Sequence, residues 1–145
     1  LRTIIQNPSL SERLEVHPID CLDYRLVASL VESVGDQSAQ IAKEAVQMKD
    51  LKLEGEVTES LLNLHRVVHE AYEDAVNAFL SKSISLANSV RDRQEEIEVS
   101  YNKIKSLAKA QPAEASRLLL SVTSLIRRIY DHSVDISDLT MPRIR

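Results

Sequence analysis

From Val57 to Ala78 the apolar residues Val57, Leu61, Leu64, Val68, Ala71, Ala75 and Ala78 recur at alternating steps of four and three. At about 100° per residue that spacing lines one face of an α-helix, and a strand, whose faces alternate at every residue, cannot carry it. Such a stripe has to be buried against other helices, so it also constrains what its neighbours in the chain can be. The helix it predicts spans about 55–81. The stripe narrows to alanine at its end, which lets a partner helix come close.

The flanking segments show the same period. Over about 18–50, Leu22, Leu26, Leu30, Val34, Ile41, Ala45 and Met48 fall on one face, and Pro18 sits at a first-turn position. Gly35, inside this segment, costs roughly 1 kcal/mol against Ala and reads either as a close approach by a backbone or ligand or as a tolerated glycine. A single helix is expected over about 84–110, capped by Ser83, with Ala87, Val90, Ile97, Tyr101, Ile104 and Ala108 inward and Gln94 in the gap. A last helix, about 112–139, turns Leu118, Val122, Leu125, Ile129 and Ile136 inward. Lys52–Gly55, Ser81-Lys82-Ser83 and Gln111-Pro112 are the turns, and no strand pattern is found. Residues 1–17 read as the end of a preceding helix, stopped at Asn7-Pro8-Ser9, and a connector. Residues 18–145 read as one helical bundle with a frayed basic end at Met141–Arg145. The expected fold is therefore all-α: an antiparallel bundle in which 55–139 form a three-helix unit, preceded by one extra long helix. The chain begins at Leu1 without Met, and the expectation is a piece of something longer.

Composition narrows the function. With one Phe, four Tyr, no Trp and two Gly in 145 residues, the core is built from Leu, Ile, Val and Ala, and long elements outnumber turns. A net charge of −4 argues against direct nucleic-acid binding, which wants clustered Lys and Arg. No run nears the ~20 apolar residues of a membrane span, so no membrane insertion is expected. The single Cys21 cannot form an internal disulfide, which fits a reducing, cytoplasmic setting or simply a small buried apolar side chain. Asp20 and Asp23 beside it disfavour a thiolate nucleophile. There is no Gly-rich phosphate loop, nucleophile elbow or CxxC pair, so the chain reads as a non-enzyme. A ferritin-type di-metal site is excluded because no Glu-x-x-His occurs.

The chemistry that remains is carboxylate chemistry. Glu32 and Asp36 lie one turn apart off the apolar face of their helix, and Asp131 and Asp135 do the same in the last one. Glu70/Asp74 and Asp92/Glu96 share the spacing. Two carboxylates at i and i+4 can share a divalent or transition-metal ion with further oxygens or a histidine, though solvated helix faces carry such pairs too. His132, beside Asp131, is a further candidate ligand. His65 and His69 have a spacing compatible with zinc but lack a zincin glutamate, and read as semi-buried, hydrogen-bonded histidines near the seam.

Two segments carry a family resemblance. Val31-Glu32-Ser33-Val34-Gly35-Asp36-Gln37-Ser38, followed by Ile41-Ala42, and Ile126-Arg127-Arg128-Ile129-Tyr130-Asp131-His132-Ser133, followed by Ile136-Ser137, resemble the end-of-repeat signature of PhoU-type phosphate-uptake regulators. That signature runs roughly Leu-Glu-Arg-Ile-Gly-Asp-His-Ala. Ala75-Val76-Asn77-Ala78-Phe79-Leu80 with Ala87-Asn88-Ser89-Val90 is similar to that family's junction between first and second helices. The likeness covers the second repeat and the last helix of the first, and the opening Asp20–Arg25 is similar to archaeal members. It implies tandem three-helix bundles, metal ions held on the surface at Glu32, Asp36, Asp131 and Asp135, and a regulatory role. That role is damping phosphate import or its signalling through a transporter or sensor partner. Glu70, Asp74 and His132 are lesser candidate ligands that rest on spacing and adjacency alone. A homodimer is expected, with the extra long helix of one copy completing the bundle of another or lying back on its own three helices. The second copy of the motif departs from the pattern: Arg127 stands for Glu and Tyr130 for Gly, and a guanidinium there repels a cation. The competing reading is a structural dimerisation or sensor module without metal, attached to a DNA-binding or ion-transport-regulating domain.

Overall fold

The computed structural model describes residues 18–142. The expectations for residues 1–17 and for the last three residues lie outside that range. Five helices follow in order: α1 Pro18–Met48, α2 Gly55–Ser81, α3 Ile84–Arg91, α4 Gln94–Lys109 and α5 Ala113–Asp138. Among the described residues there is no strand, and the fold is all-α. The chain forms two compact units, Leu1–Ser33 and Val34–Arg145, with the boundary inside α1.

In the first unit, the described stretch 18–33 is helical throughout. Cys21 is fully buried, and Asp23 and Val27 are buried beside it. Leu22 and Leu26, expected to face inward, are 43% and 42% exposed. The inward face is therefore turned by about one residue, roughly 100°. Besides the stripe of Leu22 and Leu26, apolar residues lie on the other sides of the helix, Val27 and Val31 on the next face and Cys21 opposite, so periodicity alone could not fix the face.

The second unit is an antiparallel three-helix bundle made of α2, the α3–α4 pair and α5, all of which pack on one another. The stripe on α2 faces the core: Val57, Leu64, Val68, Ala71, Ala75 and Ala78 are buried, joined by Val67, while Leu61 is half-buried. On α5 the buried face is broader than the expected stripe, taking in Leu119, Ile126 and Tyr130 besides Leu118, Val122, Ile129 and Ile136. The buried hydroxyls of Thr123 and Ser133 donate to the carbonyls of Leu119 and Ile129 one turn back, so these polar side chains are satisfied within their own helix. One end of the bundle closes over Val57, Ala108 and Leu119, with Met48, Leu53, Leu61 and Leu107 packed around them.

The connection from α2 to α3 is a helix stop and start in two residues. The Ser83 N–H reaches the Ala78 carbonyl at 2.9 Å and the Lys82 N–H reaches Phe79 at 3.4 Å, the paired bonds of a Schellman ending. That ending needs a left-handed residue, and Lys82 fills it with φ 55° and ψ 40°, where glycine is the unstrained choice. The Ser83 hydroxyl then accepts from the Leu86 N–H at 3.2 Å, capping α3 as its sequence predicts.

The expected single helix over 84–110 is broken at Asp92-Arg93. The Arg93 N–H bonds the Val90 carbonyl, three residues back, at 3.3 Å. The Tyr130 hydroxyl of α5 donates to that same carbonyl at 2.8 Å. A side chain from a neighbouring helix thus claims the carbonyl that would have continued the α-helical ladder, a recognised cause of a local 3₁₀ turn. Gly35 is exposed, and a Cβ there would meet nothing within 4 Å; it is a tolerated glycine and marks no close approach.

Truncating Leu64 to Ala should destabilise the protein by about 2–5 kcal/mol, because the fully buried side chain leaves a cavity at the seam. Lys82→Gly should raise stability by roughly 0.5–1 kcal/mol by relieving the left-handed strain. Denaturant titration of both variants checks the two faces of this description.

Candidate functional site

The second half of α1 presents Val34, Gln37, Ile41, Glu44 and Met48 as its buried or half-buried face, again at steps of three and four. Two positions of that face are polar, and both reach α5. Gln37 Nε2 lies 3.0 Å from His132 Nε2, and the Ser121 hydroxyl donates to Glu44 Oε1 at 2.7 Å. With the amide as donor, His132 carries its proton on Nδ1. Gln37 Oε1, Glu44 Oε2 and His132 Nδ1 are buried without a protein partner.

Beside these contacts α1 stands off α2 and leaves two clefts. One, about 280 Å³, has Val34, Val68, Ile126 and Ile129 in its walls and His65, His69 and Tyr72 along its edge. The other, about 270 Å³, is lined mainly by aliphatic side chains, Ile41, Met48, Leu61 and Val122 among them. His65 and His69 are exposed, not semi-buried as expected, because each follows a stripe residue and so points about 100° away from the seam. Their rings stack at 6.2 Å, and His69 Nε2 is 3.0 Å from Glu73 Oε1. His65, His69 and Glu73 rise along one helix over roughly 12 Å and cannot meet a single ion. Burial pushes the Tyr72 phenol above its ordinary value.

The predicted carboxylates divide by whether a cation of the chain already answers them. Glu32 in the first unit, and Asp36 and Asp135 in the second, are exposed and form no ion pair among the described residues. Glu70 pairs with Arg66 at 3.1 Å on the surface of α2. Asp74, half-buried, receives Arg93 Nη2 at 2.6 Å across the bundle. Asp131 is 3.4 Å from Arg127 Nε. Asp92 and Glu96 are exposed and border a shallow recess with Glu95. His132 is engaged with Gln37. Among the described residues no three His, Cys, Asp or Glu side chains converge in a way that could hold a metal ion. What the described surface offers is carboxylates in ones and twos.

Arg127 is the most heavily engaged charge. It pairs with Glu98 of α4 and with Asp131 one turn along α5, and its guanidinium carbon lies 5.3 Å from the centre of the Tyr101 ring. Burial works against its charge, but the hydrogen bond and charge of Glu98, with Asp131 behind them, outweigh that and raise its pKa. Burial also pushes the Tyr130 phenol up, opposed by the nearby Arg127 and Arg93. The sequence shows the one-turn pairs but not these answers: Arg93 and Arg127 meet carboxylates 19 and 29 residues away. The signal that was available lay in Gln37 and Glu44, polar residues seven apart on an otherwise apolar face.

No described helix is long and apolar enough to cross a membrane. No solved structure matches the chain. The chain is 28% identical over 138 residues to the phosphate-specific transport system accessory protein PhoU homolog of Pseudomonas putida, covering 85% of this chain and 53% of that protein. It is 24% identical over 119 residues to the protein of the same description from Caulobacter vibrioides, covering 78% and 52%. It thus spans about half the length of the curated relatives it matches. The family profile described as the PhoU domain matches residues 61–140, the greater part of the three-helix bundle and more than half of the sequence, so the chain belongs to the PhoU family.

Proposed function

We propose that this chain is a non-enzymatic regulatory module of phosphate uptake. It acts in the cytoplasm by contact with a protein partner of the phosphate transport or sensing apparatus. The observation that carries the reading is the PhoU-domain match over the bundle together with relatives described as accessory proteins of phosphate-specific transport. The architecture suits such a role: a rigid bundle whose outer faces are rich in charge, with α1's second half laid along it over part-open clefts. A second copy of the chain is a further partner in this reading.

The finer part of the proposal concerns metal. Glu32 and Asp36, four residues apart in the sequence and each exposed, form the pair that takes a divalent or transition-metal ion in this reading, with its remaining ligands from water or the partner. The metal would supply a charged bridge between α1 and whatever docks there.

Removing the protein from its native host should leave phosphate import and phosphate-responsive transcription unrepressed in phosphate-rich medium, and restoring it should re-impose control. Uptake of labelled phosphate measures this; identical uptake with and without the protein would sink the regulatory reading. In manganese(II) titrations, Asp36→Asn should lower affinity by about tenfold or more without changing the helical content. Unaltered binding would favour the metal-free structural module.

A further inference from the structure

We infer that Arg127 is the resident cation of the α4–α5 seam: its guanidinium occupies Glu98 and Asp131 and shuts a divalent metal out of the carboxylate motif in the last helix. This builds on the reading of exposed carboxylates as metal ligands and divides the two motifs between an open one and a closed one.

The geometry has three parts. Glu98 comes from α4 and Asp131 from α5, and both are bonded to the same guanidinium. An arginine fork satisfies carboxylate oxygens directionally, so it takes up the lone pairs a metal would need. The site is also cation-rich in its surroundings. Lys105 Nζ lies 5.1 Å from the centre of the Tyr101 ring, the same ring that Arg127 approaches. A divalent ion at Asp131 would therefore stand within a few ångströms of the Arg127 charge, well inside the distance over which salt screens. Finally, Arg127 is itself held. Its side chain is 23% exposed, so it does not swing freely away as a surface lysine would.

The test is manganese(II) binding, by calorimetry and by the loss of the free-ion electron paramagnetic resonance signal. It compares the full chain with Asp131→Asn, Arg127→Lys, Arg127→Gln and Arg127→Glu, each checked for folding by circular dichroism. Asp131→Asn and Arg127→Lys should bind as the unaltered protein does. Arg127→Glu should gain an additional equivalent, and adding Glu98→Gln or Asp131→Asn to it should abolish that gain. Should Arg127→Glu not fold, Arg127→Gln carries the same test, since it removes the charge and keeps both carboxylates. The inference is overturned if Asp131→Asn weakens binding in the otherwise unaltered protein by about tenfold, or if folded Arg127→Glu, or Arg127→Gln in its place, gains nothing. If the unaltered protein binds no manganese, the pair at Glu32 and Asp36 fails while the gain in Arg127→Glu still decides this inference separately.

Discussion

The burial of α2's apolar stripe against α5 is the constraint on which the bundle depends. Both helices also pack on the α3–α4 pair, and the core has almost no aromatic volume with which to fill gaps. It therefore relies on close approach of branched and small side chains. At the α3 end of α2, Ala71, Ala75 and Ala78 are all fully buried, and small residues there bring the backbones together. Polar groups caught near so tight a seam must find partners at once. Asp74 finds Arg93, and the Tyr130 hydroxyl finds the carbonyl of Val90. The kink between α3 and α4 is thus a product of the packing and not of any helix-breaking residue.

This explains which parts of the fold could be read from the sequence. The helix over 55–81 was legible to the residue because its stripe is regular and its ends carry their own signals, a glycine at one and a serine-rich turn at the other. The last helix was legible for the same reason. The interruption at Asp92-Arg93 was not, because its cause is a tyrosine 40 residues away. The face of α1 before Val34 was misread because apolar residues lie all round that stretch. Gly35 turned out to mark nothing but an open surface.

The candidate site was legible as spacing and illegible as charge balance. Pairs of carboxylates one turn apart are plain in any helical sequence, and five of the seven residues singled out are exposed. Asp74 and His132 are half-buried. What spacing cannot show is whether a cation already sits against them. Arg66, four residues from Glu70, is close enough in sequence to be suspected. Arg93 opposite Asp74 and Arg127 opposite Glu98 depend on how three helices are brought together. The Arg127 departure from the family pattern was visible. Its engagement with two carboxylates and an aromatic ring belongs to the tertiary structure.

The contacts between the second half of α1 and α5 have a consequence of their own. Ile41 and Met48 are greasy enough to stick at several offsets along the bundle, since aliphatic surfaces discriminate poorly between neighbouring alignments. Gln37 facing His132 and Glu44 facing Ser121 match at a single offset, and any slip would strand four polar groups at once. The two bonds thus act as an address more than as glue: they say where this helix lies, while leaving the clefts beneath it unfilled.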